Sequence, residues 1–258
     1  MSVLVLGALH WDTVVRAPRL PELDETLNGR DVVYRFGGKG GNQALAAARA
    51  GAETAIWGRV GDDAAGNAML AELDRAGVDR AGIRRIPGAS GMSVAISVDG
   101  GEYGAVVVTG ANAANDGEGE VPSDTRIILL QNEVPETANL TLARRKGEAT
   151  VILNAAPSRP VDPALASLVD IWVVNRVEAA GLGKVAGSVI ETRGAEGCLL
   201  WREGSRMAFP VAPLAGEGHG AGDVFCGTLA ARMDAGDSLE SAIEAAQRSA
   251  GRHVSRSG

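Results

Sequence analysis

The sequence predicts an α/β protein whose mainly parallel central sheet is flanked by helices and carries a small additional β-sheet. Short apolar runs, SVLVL at 2–6, RIILL at 126–130, TVIL at 150–153 and IWVV at 171–174, each stop at a glycine or a polar residue. Strands buried on both faces read this way. Stretches between and around the runs, such as 63–76, keep the three-to-four-residue spacing of a helix with one apolar face. Aromatic residues are only 3% of the chain while glycine alone contributes 35 residues, which suits close helix-on-sheet packing with many tight turns.

The 258 residues, 45% of them apolar, fill one large core. We read a single α/β domain over 1–258, with strands of the small sheet inserted at about 11–36 and 90–110. A net charge of -7 argues against partnership with nucleic acid or an acidic membrane, whose fields would repel the chain. No run approaches the ~20 apolar residues of a membrane span, and MSVLVLGAL lacks the basic start and long apolar core of a secretory signal. A cytoplasmic location is expected. Cys198 and Cys226 lie in apolar runs and read as buried thiols, not as a disulfide or a metal site.

The elements follow in order. After the first strand, Gly7 opens a loop that brings His10 and Asp12 to the strand's C-terminal end, where open parallel sheets bind ligands. Residues 12–17 and 30–36 alternate imperfectly and read as two exposed antiparallel strands. GGKGGNQ at 37–43 precedes a helix over 44–50. Residues 54–60 are a strand, 63–76 an amphipathic helix, and 92–98 and 103–109 a hairpin turning at 99–102. The strands at 126–130, 150–153 and 171–174 end in Gln131-Asn132-Glu133, Asn154 and Asn175. A strand at 188–191 is followed by the turn Thr192-Arg193-Gly194 and a return strand, CLLW. Residues 238–252 read as a helix capped by Ser238. Trp57, Trp172 and Trp201 read as packing residues, whereas Trp11 lies beside the presumed crevice. Asp12, Glu133, Asn154, Asn175 and Asp223 could converge there.

Two glycine clusters carry the chemistry. In GEGHGAGDVFCGTLAAR at 216–232, glycines lead into Asp223 and a helical run over 224–233. Bare backbone meeting a helix N-terminus is an anion site. An aspartate at its rim can take a proton from a hydroxyl while the N–H groups hold developing negative charge. In isolation the same residues would also serve as a plain helix cap. The cluster at 37–43 is not a Walker A loop, because Lys39 is followed by Gly40, and no GxGxxG follows the first strand.

With GGKGGNQALAAARAG, IWGRVGDDAAGNAML and GAGDVFCGTLAARM in view, the sequence resembles the ribokinase family, the PfkB carbohydrate kinases. The resemblance runs over nearly the whole chain and is strongest in VVRAPRLPELDETLNG, GANAAN, LLQNEVP, ILNAAPSRP and TRGAEG. It implies a three-layer ribokinase-like fold with a small β-sheet lid, and transfer of the ATP γ-phosphoryl group to a primary hydroxyl. By resemblance Asp223 is the catalytic base and Gly220, Ala221 and Gly222 form the anion hole. His10, Asp12, Gly38, Lys39, Gly40, Gly41, Asn42 and Glu133 face the sugar. Asn175, Gly222, Gln247 and the turn Thr192, Arg193, Gly194 to Gly197 lie along the nucleotide, and Glu178 organises Mg²⁺ through water. A homodimer through the lid strands is also implied.

The sequence departs from the family pattern in places. His10 replaces an asparagine used toward the sugar, which makes ribose itself less certain. Glu217-Gly218 replaces Asp-Thr and the chain stops at Gly258, which leaves potassium activation doubtful. Gln247 replaces an asparagine near the adenine. Few residues separate Glu178 from Thr192, so a family helix is expected to be largely deleted and one sheet face less covered. A nucleoside kinase is the nearest alternative, a catalytically degenerate ligand-binding protein the alternative of another class, and a dinucleotide oxidoreductase is disfavoured by the missing fingerprint.

Overall fold

The computed structural model describes residues 2–98, 103–211 and 220–256. The turn expected at 99–102 and the stretch 216–219 lie outside the described residues. In chain order the strands are β1 (Val3–Leu6), β2 (His10–Ala17), β3 (Asp31–Gly37), β4 (Thr54–Gly61), β5 (Ile83–Ile86), β6 (Met92–Val98), β7 (Tyr103–Val108), β8 (Ile127–Gln131), β9 (Thr150–Asn154), β10 (Ile171–Asn175), β11 (Ser188–Thr192), β12 (Cys198–Arg202) and β13 (Ser205–Phe209). The helices are α1 (Lys39–Arg49), α2 (Ala64–Arg75), α3 (Glu136–Ala143), α4 (Pro163–Ala166), α5 (Arg176–Gly181), α6 (Ala221–Asp234) and α7 (Leu239–Arg256).

Among the described residues, nine strands form one sheet in the order β13-β12-β11-β10-β9-β8-β1-β4-β5. All neighbours from β11 to β5 run parallel, and only β12 and β13 are antiparallel. The two-residue period of a strand divides the apolar runs between two cores. Val3 and Val5 face one side, with residues of α1, α2, α6 and α7, while Leu4 and Leu6 face the other with α3 and α4. This is the mainly parallel three-layer architecture expected from the sequence.

Glycine sets the spacing between the layers. A Cβ on Gly40 would lie 2.5 Å from the Gly7 Cα, and one on Gly227 would lie 2.3 Å from the Gln43 carbonyl oxygen. Thus α1 lies against β1 on one side and against α6 on the other. This corrects the expected start of α1 at residue 44: the glycines at 40 and 41 are its first turn, because close contact with Gly7 and Ala8 and with Phe36 and Leu9 outweighs their low helix propensity. Likewise α6 begins at Ala221, two residues before Asp223, because Gly220 supplies the turn.

The sequence reading also missed α3 and the edge strands β5 and β13. At the other end of the sheet α5 is only six residues long. It covers β10 through Ala179 and Leu182, and Trp172, fully buried, donates its indole N–H to the Ala186 carbonyl at 3.0 Å. Trp201 corrects the packing assignment: on the outer strands the side chain is 42% exposed and stacks under Arg206, 5.3 Å from its ring centre.

The second sheet has the order β3-β2-β6-β7, with β2 and β6 parallel. Its registers put Val32, Tyr34, Val94, Val106 and Val108 on one exposed face and Asp12 with Ser93 on the other. The chain enters it within three residues of β1. Asn112 holds that entry, accepting from the Leu9 N–H at 3.0 Å and donating to the Leu9 carbonyl at 2.9 Å. The Trp11 N–H donates to the Gly91 carbonyl at 3.0 Å, so the two excursions leave the body side by side.

Candidate active site

The N-terminus of α6 meets that of α1 at the C-terminal edge of the large sheet. Gly220 caps α6 with φ 76°, a left-handed value open to glycine without strain. Asp223, the third residue of the helix, is 7% exposed. Its Oδ1 accepts from Gln43 Nε2 at 3.0 Å and its Oδ2 from Asn42 Nδ2 at 3.3 Å. Gln43 Nε2 donates again to Asn154 Oδ1 at 3.1 Å, and Asn154 Nδ2 to the Val173 carbonyl at 3.1 Å. A carboxylate gripped from two sides keeps one orientation. The Asp223 N–H turns back to the Gly220 carbonyl at 3.1 Å, whereas Ala221 and Gly222 occupy helix positions whose N–H groups have no acceptor within the helix.

At the start of α1, no side chain of its own segment caps the helix. Glu133, at the end of β8, does so instead, its Oε2 accepting from the Lys39 N–H at 2.7 Å. Burial, the largest influence on the Lys39 ammonium, disfavours its charge, but the carboxylates of Asp223, Glu133 and Glu178, with Cys226, outweigh it and hold the pKa above the ordinary lysine value. Burial also raises the Glu133 carboxyl above its ordinary value, against the Lys39 N–H and the charges of His10 and Lys39. Here a lysine stands among three acids. His10 is buried and shares a face of β2 with Asp12. Asp12 Oδ1 accepts from the Ser93 N–H at 2.9 Å and the Ser93 hydroxyl at 2.7 Å, and Gly37 is so close that a Cβ there would lie 2.1 Å from Oδ2. Of the five strand-end residues, Asp223, Asn154 and Glu133 are linked by bonds or by charge. Asp223 and Asn154 are joined through Gln43, whereas Asp12 is held on the small sheet by Ser93.

On the other side of α6 lies a cavity of about 1080 Å³. Asn175, Thr192, Gly194, Gly197, Gly222 and Gln247, all assigned to a nucleotide from the sequence, line it, as do Ala221, Phe225, Pro210, Val211, Ala250 and Val254. Arg193 does not: its Nε donates to Glu191 Oε1 at 2.8 Å, which folds the side chain back along β11. The turn after β11 uses the N–H groups of Arg193, Glu196 and Gly197 internally and keeps Gly194 and Ala195 on the cavity wall. Gln247 Nε2 donates to the Phe209 carbonyl at 2.8 Å, fixing the amide at the wall. Glu178 is buried beside it in a capping box, its Oε2 accepting from the Asn175 N–H at 2.8 Å and its Oε1 from Asn175 Nδ2 at 2.9 Å. Burial raises the Cys198 thiol, on the cavity wall, to about 12 and the Cys226 thiol well beyond the usual range.

The family description pfkB family carbohydrate kinase matches residues 1–258. The chain belongs to this family of carbohydrate kinases. The kinase is 31% identical to the ribokinase of Mus musculus over 89% of its own length and 80% of the relative's. Its fold superposes on the ribokinase of Thermotoga maritima with TM-score 0.91 at 24% identity, covering all of this chain and 94% of the other. It matches the Arabidopsis thaliana ribokinase, solved with ribose and ATP, with TM-score 0.88 at 27% identity, over 98% and 92% of the two chains.

Sequence reasoning passed over several residues that shape this site. Gln43 closes the GGKGGNQ stretch, where nothing local gives it a role. Ser93 had no signal at all, since its partner is 81 residues away. Phe225, Pro210 and Val211 are simple apolar positions until α6 and β13 bring them to one wall.

Proposed function

We propose that this kinase transfers the γ-phosphoryl group of ATP to a primary hydroxyl of a small, ribose-like sugar. The observation that carries the proposal is the placement of Asp223. It stands on the first turn of α6 between the cavity lined by Ala221 and Gly222 and the cluster of Lys39 and Glu133. A sugar on the α1 side thereby presents its hydroxyl to the carboxylate, and a nucleotide in the cavity lays its phosphates at the helix N-terminus. That a ribokinase of Cryptococcus neoformans was solved with ADP and that of Arabidopsis thaliana with ribose and ATP supports a site for a sugar and a nucleotide together.

Asp223 receives the hydroxyl proton as the oxygen attacks the γ-phosphorus and the bond from that phosphorus to the bridging oxygen breaks, leaving ADP, while Asn42 and Gln43 keep the carboxylate oxygens aimed. The N–H groups of Gly220, Ala221 and Gly222 hold the charge that spreads over the transferring group, as a loose phosphoryl transition state requires. Lys39 supplies a fixed positive charge on the acceptor side. His10, Asp12, Gly38, Gly40, Gly41, Asn42 and Glu133 form the sugar side, with Asp12 gripping hydroxyls and the small sheet closing as a lid against water. Mg²⁺ supplies further charge neutralisation when bound. Among the described residues no three histidine, cysteine or acidic side chains gather as a ligand set, which fits an ion carried by phosphates and water, with Glu178 reaching it through water. The exposed valines and Tyr34 on the outer face of the small sheet fit pairing with a second copy, burying that face.

The test is turnover of ATP and Mg²⁺ across pentoses, hexoses and nucleosides, with Asp223→Asn beside the native protein. Turnover of a pentose, lost in the variant, is the expected result. Preference for a nucleoside would reassign the acceptor, and a variant with native turnover would remove Asp223 from its role.

A further inference from the structure

A second cavity, of about 570 Å³, opens where the last turn of α1, the second half of α6 and α7 meet. Its size suits a small molecule. Both α1 and α6 begin at the corner of Asp223 and run away from it, so Arg49 stands about 15 Å along α1 from Lys39, at ~1.5 Å per residue. Four arginines, Arg49, Arg232, Arg248 and Arg252, line this cavity against two acids, Asp237 and Glu244. In a chain of net charge -7 the sign is reversed here, with two positive charges left over.

The arginines are unequally engaged. Arg232 is taken by Asp237, whose Oδ2 accepts from its Nε at 2.7 Å. Arg248 pairs with Glu244 at 3.7 Å, beyond hydrogen-bond length, and both side chains are largely exposed. Arg252 gives one of its five donors to the Ser249 hydroxyl, at 3.0 Å. Arg49, in the last turn of α1, has no ion pair among the described residues. Arg248 and Arg252 are moreover four residues apart on α7, a spacing at which like charges repel and weaken a helix. An anion between them turns that repulsion into attraction. Guanidinium forks match phosphate oxygens two at a time, and Ser241 and Ser249 add hydroxyl groups to the same lining.

We propose that this cavity binds a small phosphorylated molecule bearing at least two negative charges, held by Arg49, Arg248 and Arg252. Arg248 and Arg252 also line the cavity beside α6, whereas Arg49 and Ser241 do not. With the nucleotide placed in that cavity, on which this step rests, the two anions draw on the same two guanidinium groups and weaken each other's binding by the same factor. A phosphorylated compound thereby restrains the kinase from outside its active site.

Calorimetry without Mg²⁺, with inorganic pyrophosphate as the probe, on native protein, Arg49→Ala and Arg49→Glu tests this. Arg49→Glu leaves the lining neutral, so pyrophosphate should bind about ten-fold or more weakly, the typical worth of a hydrogen bond between charged groups. Arg49→Ala should lie between the two proteins. ADP affinity should stay native in both variants, which also reports that they fold. Saturating pyrophosphate should lower the ADP affinity of native protein and leave that of Arg49→Glu unchanged. An equal effect on both would put pyrophosphate on the nucleotide's own phosphate site and overturn the inference, as would native pyrophosphate affinity in Arg49→Glu or no binding to native protein. ADP affinity indifferent to bound pyrophosphate would overturn the opposition of the two ligands. If pyrophosphate binds and is lost in Arg49→Glu but neither protein binds ADP, the second site stands and the placement of the nucleotide falls.

Discussion

Replacing Gly227 by alanine asks how firmly the corner that holds Asp223 depends on the approach of α1 to α6. The new methyl group would lie 2.3 Å from the Gln43 carbonyl oxygen, 2.6 Å from Ala46 Cβ and 2.8 Å from the Ala47 nitrogen. Two of these three are backbone atoms. Ordinary contact begins near 3.4 Å, so the helices must part by roughly 1 Å, because helical backbone does not rotate out of the way as a side chain would. Overpacking of this kind costs ~1–3 kcal/mol, while alanine's better helix propensity returns ~1 kcal/mol. The net loss is ~0–2 kcal/mol, a fall of only a few degrees in melting temperature for a chain of this size. Catalysis should suffer more. Asp223 lies one turn before Gly227 and is aimed by Asn42 and Gln43 across the same contact, and a 1 Å misplacement can cost up to ~10²-fold in rate. Initial rates at saturating ATP and sugar, taken beside thermal melts and ADP calorimetry, should show kcat falling steeply with ADP affinity kept. A lowered melting temperature with native kcat would refute the idea that this contact positions the base.

Three other outcomes are expected. Asp12→Ala should raise the KM for the sugar about ten-fold or more, the worth of a hydrogen bond to a charged group, and leave the KM for ATP unchanged; collapse of ATP affinity instead would exchange the two sides of the site. The raised Glu133 carboxyl binds its proton more tightly in the folded than in the unfolded chain. Its contribution is therefore most favourable at low pH and is lost as pH rises from the ordinary carboxylate value through the raised folded one. Melting curves of Glu133→Gln against native protein should thus favour the variant increasingly across that window, and a difference independent of pH would contradict the burial argument. Finally, Cys198 and Cys226, both buried with raised thiol pKa values, should resist an aromatic disulfide reagent at pH 8 until the protein is unfolded. Rapid reaction of either thiol in the native protein would contradict their burial.

The central strands were legible because burial on both faces turns them into continuous apolar runs, and the ends of β8, β9 and β10 were legible because polar residues interrupt those runs. Where contact overrides local preference, the reading failed. Gly40 and Gly41 look like loop and are helix because Gly7 and Ala8, just past β1, press on the first and Phe36 and Leu9 on the second. Trp201 looks like core and is half-exposed on the outer strand β12, under Arg206. In the site, Asp223, Lys39 and Glu133 were marked by motif and by strand end, but the bonds between them were not. Gln43 reaches Asp223 across 180 positions and Ser93 reaches Asp12 across 81. No local pattern carries such pairings; they exist only once the glycine contacts have set the layers at their distance.

The narrow entry to the small sheet bears on how proteins of this shape diversify. Both excursions leave the body beside one another, at His10 and Gly91, and return at the glycines Gly38 and Gly110. Each is a cassette with its two ends on the same rim of the body. The cassettes hold Asp12, Ser93 and the outer valines, whereas Asp223 and the cavity beside α6 belong wholly to the body. Exchange of residues 10–37 together with 91–109 for those of a relative should transplant acceptor preference and self-association as one unit while ADP affinity stays native, so that choice of substrate and assembly can evolve apart from the machinery of transfer.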